Sequence, residues 1–359
     1  MLRIVVMVGT RKGCFLLESD EARQDWEIRG PFCEGWPIYH AVHDPASGTV
    51  FAAAASEWHG AAIWRSGDFG ATWQHSSEGL TYGDGGELKL SKVSGLAAAH
   101  GRLLAGGEAA GVFESRDGGE TFSLLSTLDG LPGREDWNVP SNQPPGHLGM
   151  PGLLTHPDDP DRFYVVVQGF GIFETTDDGA TWTPRNEGLR AEWPRPHPDV
   201  GFCVHKLVMA PDRERLYQQN HCGMHRSDDA GHSWTEITEG LPADFGFVLL
   251  THPRRDGTAW VIPLKADGER IPPDGKLAVH RTDDAGNTWT GLSAGLPEQE
   301  YNSVLRDAAS VDTAEPAGVY FGTRGGTVYA SADEGETFTE VASHLPDVLC
   351  VRAAVVAGA

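Results

Sequence analysis

The octapeptide Ser66-Gly67-Asp68-Phe69-Gly70-Ala71-Thr72-Trp73 (SGDFGATW) decides the fold, because the chain repeats it. It returns as SRDGGETF (Ser115 to Phe122), TTDDGATW (Thr175 to Trp182), SDDAGHSW (Ser227 to Trp234), TDDAGNTW (Thr282 to Trp289) and SADEGETF (Ser331 to Phe338). The shared pattern is Ser/Thr-x-Asp-x-Gly-x-Thr/Ser-Trp/Phe. Its aspartates, Asp68, Asp117, Asp177, Asp229, Asp284 and Asp333, stand 49, 60, 52, 55 and 49 residues apart. A steady period of this size marks an array of one supersecondary unit. A second phrase, Gly-Leu and often Pro, follows 11 to 13 residues after each Asp, at Gly79, Gly130, Gly188, Gly240 and Gly295, with Leu345-Pro346 in the last place.

Around each octapeptide the pattern is short strands. Thr49 to Ala54, Arg162 to Gln168, Arg215 to Gln219 and Val319 to Thr323 are β-rich runs closed by Gly-containing turns. The strand entering the octapeptide alternates, as in Gly111 to Ser115 and Gly171 to Thr175. Each unit reads as four antiparallel strands, A to D from inside outward, with the octapeptide turning C into D. Its Asp can accept backbone hydrogen bonds, its Gly supplies a positive φ, and its aromatic packs between units. The six aspartates are therefore expected to be structural.

These octapeptides resemble Asp-boxes, and the chain is similar to the BNR-repeat β-propellers of the sialidase-like superfamily over essentially residues 1 to 359. Sialidases, two-propeller xyloglucanases and sortilin share the repeat and do unrelated things, so the resemblance implies a fold more than an activity. Residues 2 to 32 hold a degenerate unit (Leu2 to Thr10, Gly13 to Ser19, then Trp26 in the aromatic place) that lacks strand A. Val348 to Val356 is a strand A without the rest of its blade. Joined, they complete a seventh blade. The expectation is an all-β, seven-bladed β-propeller, one domain over 1–359.

Composition narrows the partners. The 359 residues carry 28 Lys and Arg against 51 Asp and Glu, a net charge of −23, which disfavours nucleic acid and anionic membranes. The opening apolar run Ile4 to Val8 is too short for a signal peptide core or a membrane span. Five scattered Cys without a CxxC pair read as free thiols in a reducing cytoplasm.

In a propeller of this kind the B–C and D–A loops build the ligand face. They carry Arg11, the Glu57-Trp58-His59 run, His221, Arg270, Arg324, His40, His205, Tyr301 and Arg306, plus two long loops containing Trp137 and Trp193. Three readings of this face stand side by side. In the first, a hydrolase- or lyase-type enzyme acts on a small anionic or sugar-like substrate. Arg306, Arg324, Arg270 and Arg11 orient a carboxylate, Trp58, His59, Tyr301 and Trp137 complete the binding surface, and His205 or His221 with Glu57 exchanges protons. In the second, His205, His221 and His40 hold a divalent metal. In the third, the propeller is a protein-interaction scaffold without catalysis. Authentic sialidase activity is not expected. Arg270-Ile271-Pro272 repeats a sialidase triplet, but in a late loop and not near the first blade. No motif fixes Tyr301 to Glu298 or Glu300 as a nucleophile pair.

Overall fold

The computed structural model describes residues 2–83, 89–131, 134, 149–192 and 197–357. The chain is all-β, and among the described residues its strands fall into antiparallel meanders: one eight-stranded sheet and five four-stranded sheets. Two compact units are distinguished, one formed by Met1–Ala41 with Lys206–Ala359, the other by Val42–His205.

The octapeptides explain their own spelling. The first Ser or Thr hydroxyl accepts the Gly N–H at 2.8 Å in all six, from Ser66 with Gly70 to Ser331 with Gly335. It also donates to the Asp carboxylate. That carboxylate takes a backbone N–H and a hydroxyl from the Thr or Ser four residues on, as Asp68 does from Thr72. Gly335, at φ +92°, and Glu334, at φ +61°, turn the chain through the left-handed region. The N–H and hydroxyl of Thr72, with the Ser66 hydroxyl, hold Asp68 down at about 2.

The aromatic and the Gly-Leu phrase belong together. The Phe122 N–H donates to the Glu78 carbonyl and the Phe338 N–H to the Ala294 carbonyl, each at 2.9 Å. Gly79 and Gly295 follow, and a Cβ on them would lie 1.7 Å and 1.9 Å from the carbonyl oxygens of Phe122 and Phe338. Each of these glycines is thus a docking point for the next repeat's aromatic. The Trp289 indole likewise donates to the Ile237 carbonyl at 2.9 Å.

In the first unit the eight-stranded sheet is two four-stranded meanders joined side by side. Val348–Ala357 pairs antiparallel with Leu2–Thr10 along its length, from Leu2 opposite Ala357 to Thr10 opposite Val348. Val348–Ala357 meets Val304–Val311 through one parallel bridge, Asp307 to Cys350. Side chains supply much of what this seam lacks in backbone bonds. Arg352 Nη1 donates to the carbonyls of Asp307 and Val351 at 2.8 Å and of Ala309 at 3.4 Å. The Ala353 N–H donates to the Ser310 hydroxyl at 2.9 Å. The core under this sheet includes Ile4, Val6, Val8, Trp260, Tyr320 and Phe321.

In the second unit the sheets Val93–Ser126 and Gly152–Pro184 share a core of Leu104, Val112, Phe163, Val165 and Phe173. Phe51, Ile63, Leu103 and Phe113 fill a neighbouring core.

Candidate functional site

Val304–Val311 leaves regular pairing in its first half. Val304 stands opposite Thr323, yet Ala309 stands opposite Phe321, so the segment between them carries extra residues. Bulges of this kind re-aim side chains and are common beside ligand sites. Here the irregularity holds Arg306 and Asp307.

Asp307 is 5% exposed and gathers three basic side chains. Its Oδ1 accepts from Lys206 Nζ at 2.7 Å and from Arg352 Nη2 at 2.6 Å, and lies 3.8 Å from His40 Nε2. Burial alone would raise this carboxyl, but Lys206 and Arg352 beside it hold it well below the usual range. The same Arg352 Nη2 donates to His40 Nε2 at 2.7 Å, so His40 is an acceptor there. Burial, then Arg352, keeps its imidazole well below its ordinary value and neutral. The other ring nitrogen, Nδ1, is buried with no hydrogen-bond partner among the described residues. Burial also lowers Lys206. The four residues come from the leading strands of four different meanders.

Beside this group lies an aromatic step on Phe245–Thr251. Phe245 and Phe247 are buried and meet edge to face, with centroids 5.2 Å apart. The Arg270 and Arg306 guanidinium carbons lie 5.3 Å and 5.4 Å from the Phe247 centroid. One ring therefore seats two arginines from different elements, a cation–π arrangement that fixes both planes. The His221 ring meets Phe245 at 5.2 Å.

The other expected residues are placed as follows. Arg11 and Arg324 both bond Asp347, Arg11 Nε at 3.1 Å and Arg324 Nη2 at 2.7 Å. Arg270, besides its ring contact, bonds Asp267 through Nε at 3.1 Å. Tyr301 is exposed with its ring against Gly275, and Glu300 caps the N–H groups of Tyr301 and Asn302 rather than a phenol. In the second unit, Glu57, Trp58 and His59 form an exposed turn, with Trp58 90% exposed. His205 is buried on Val204–Met209, its Nε2 4.0 Å from Cys203 Sγ. Cys203 and His205 thus bring together a sulfur and an imidazole nitrogen, donors of the kind zinc accepts. His40 belongs instead to the Asp307 group. Trp137 and Trp193 lie outside the described residues.

Sequence reading missed Lys206, Asp307, Arg352 and Phe247. A signal was present for the first three, a lone charge or charge pair inside an apolar strand: VHKLVM, VLRDAASV and VLCVRAAVVA. Such charges are rarely buried unless paired. A cleft of about 680 Å³ lined by Lys276, Leu277, Ser293, Leu296 and Pro297 brings none of these groups together.

Comparison with known proteins adds the following. No family model matches the chain. It is 26% identical over 227 residues to a xyloglucanase from Paenibacillus sp., an alignment that takes in 54% of this chain and 20% of that protein. The chain thus spans about a fifth of the length of the curated relatives it matches. Among solved structures it is similar to the GH74 enzyme of Niastella koreensis (TM-score 0.54, 16% identity, 97% of this chain and 66% of that one). It is also similar to apo AztD from Citrobacter koseri (TM-score 0.57, 12% identity, 100% of this chain and 99% of that one). These likenesses show an all-β fold with propeller-like neighbours.

Proposed function

We propose that the chain is a seven-bladed propeller of the BNR type that binds, and as a hydrolase-type enzyme turns over, a small sugar-like substrate at the Phe247 step. The blade count rests on reading the eight-stranded sheet as two blades beside five others. The saccharide class rests on the xyloglucanase relative. One observation carries the site: Arg270 and Arg306, from separate elements, are seated on the single ring of Phe247. Guanidiniums fixed in this way meet sugar hydroxyls or an acidic substituent with little ordering cost. Asp307, held ionised, is unsuited to donate a proton, and His221 on the adjoining ring is the group assigned to proton transfer.

The test is reducing-end release and calorimetric binding with neutral and acidic oligosaccharides. Phe247→Ala should weaken binding roughly tenfold, about 1.4 kcal/mol, and His221→Asn should stop turnover while sparing affinity. Failure of every saccharide to bind at about 10 mM would reject the reading.

A second reading, metal-assisted hydrolysis, is favoured by the Cys203 and His205 donors. Stoichiometric zinc in purified protein, lost on Cys203→Ser, supports it. Metal-free protein with full turnover excludes it.

A further inference from the structure

We propose that Asp267 makes the site selective for neutral over acidic sugars, by turning Arg270 from an anion clamp into a donor to hydroxyl oxygens. This rests on the saccharide reading above and adds the charge of the sugar that the Phe247 step accepts.

The loop that carries the pair is tightly built for an exposed segment. It follows Ala259–Leu264, and the Lys265 N–H closes it by donating to the Ile271 carbonyl at 2.8 Å. Inside, the Ala266 carbonyl accepts the N–H groups of Glu269 at 3.3 Å and Arg270 at 2.8 Å. Arg270 stands at φ +50°, in the left-handed region that residues with a side chain rarely enter. Backbone outliers of this kind gather at ligand sites, where their surroundings hold them. In this turn the guanidinium carbon comes to rest 5.3 Å from the Phe247 centroid.

Charge on the loop is balanced pair by pair. Asp267 Oδ1 accepts from Arg270 Nε at 3.1 Å and also from Nη2, while Glu269 pairs with Lys265 Nζ at 2.7 Å. A guanidinium that already faces a carboxylate gains little from a second anion, and the carboxylate repels one. An uncharged hydroxyl meets no such repulsion.

The bonding pattern leaves the groups a sugar needs. The Asp267 carbonyl takes Nε as well, at 2.9 Å, so one edge of the guanidinium is spent. Of its five N–H groups, the two on Nη1 and the second on Nη2 meet no acceptor among the described residues. Asp267 Oδ2 likewise accepts no hydrogen bond among them. The two side chains keep 50% and 44% of their surface exposed, so both are within reach of a ligand. A hydroxyl both donates and accepts, so adjoining sugar hydroxyls can take an N–H from Arg270 and give a proton to Asp267. A sugar carboxylate only accepts, and Asp267 has no donor for it.

The experiment is calorimetric titration of the full chain with a neutral probe, cellotetraose, and an acidic one, tetragalacturonate. The intact protein should bind cellotetraose more tightly, with an affinity that salt hardly changes. Asp267→Asn should weaken cellotetraose and strengthen tetragalacturonate, each about fivefold, the scale of an exposed charge pair. The gained affinity should fall with added salt. Arg270→Gln should weaken cellotetraose without that reversal. Equal weakening of both probes in Asp267→Asn would reduce Asp267 to a brace for the loop and overturn the proposal. An unchanged ratio of the two affinities, or an intact protein that prefers tetragalacturonate, overturns it as well. All three outcomes leave the saccharide reading standing. Binding of neither probe to the intact protein at about 10 mM removes the saccharide reading and this selectivity with it.

Discussion

Arg352 grips Asp307 twice, donating through Nη2 to its carboxylate at 2.6 Å and through Nη1 to its carbonyl at 2.8 Å. The strands that carry them share one backbone bridge, so this double contact closes a sheet as well as ordering a charged group. Removing one partner would leave buried, uncompensated charge. Asp307→Asn is expected to destabilise the fold by about 3 kcal/mol, in line with broken buried pairs. Denaturant melts of the variant and of Arg352→Met would measure it, and a change under about 0.5 kcal/mol would show the contact to be incidental.

The Gly-Leu phrase makes a sharper stability prediction. A methyl group on Gly79 would sit 1.7 Å from the Phe122 carbonyl oxygen, in a residue already at φ +77°. Gly79→Ala should therefore cost more than about 2 kcal/mol. Gly130→Ala shares a positive φ but meets nothing within 4 Å of its Cβ among the described residues, so it should cost only about 1 kcal/mol. Thermal melts of the pair, run together, separate packing from backbone strain.

Acid should weaken the protein before the carboxylates titrate. His40, His43, His252 and His280 all have folded values lowered by burial. In the unfolded chain they protonate below about 6.5, where the folded protein resists doing so. Stability is thus present above that pH and lost as pH falls below it. Around His40 the facing charges are Arg352, Asp307 and Lys206, and the cations outnumber the carboxylate. Melting temperatures should drop between pH 7.5 and 5.5, and His40→Gln should shallow the slope. An unchanged slope would mean that His40 charges freely in the fold.

Asp347 has taken two arginines that sequence reading assigned to substrate. Arg11 comes from the turn after Leu2–Thr10 and Arg324 from the turn after Val319–Thr323, and both hold the residue just before Val348–Ala357. Asp347→Ala should lower stability by about 1 kcal/mol, as exposed pairs do, and leave ligand affinity unchanged. A loss of affinity would return Arg11 and Arg324 to the site.

The strands and the octapeptide turns were legible because each fixed position of the repeat answers one hydrogen bond or one turn angle, all within a few residues. The pairing of Val348–Ala357 with Leu2–Thr10 was legible too, since each segment lacked what the other offered. Asp307, Lys206 and Arg352 were not read as a group because their contacts join residues 45 to 312 positions apart. No local spacing encodes such a meeting. Glu57 and Trp58 illustrate the converse. Residues that look chemical in sequence sit on an exposed turn, while the register break that re-aims Arg306 has no sequence signature of its own.

The most direct test is hydrogen–deuterium exchange with and without a bound oligosaccharide. The account predicts new protection confined to the segments bearing Phe245 and Phe247, Arg270, and Arg306 with Asp307. Protection at the Glu57 to His59 turn instead, with those segments unchanged, would contradict it.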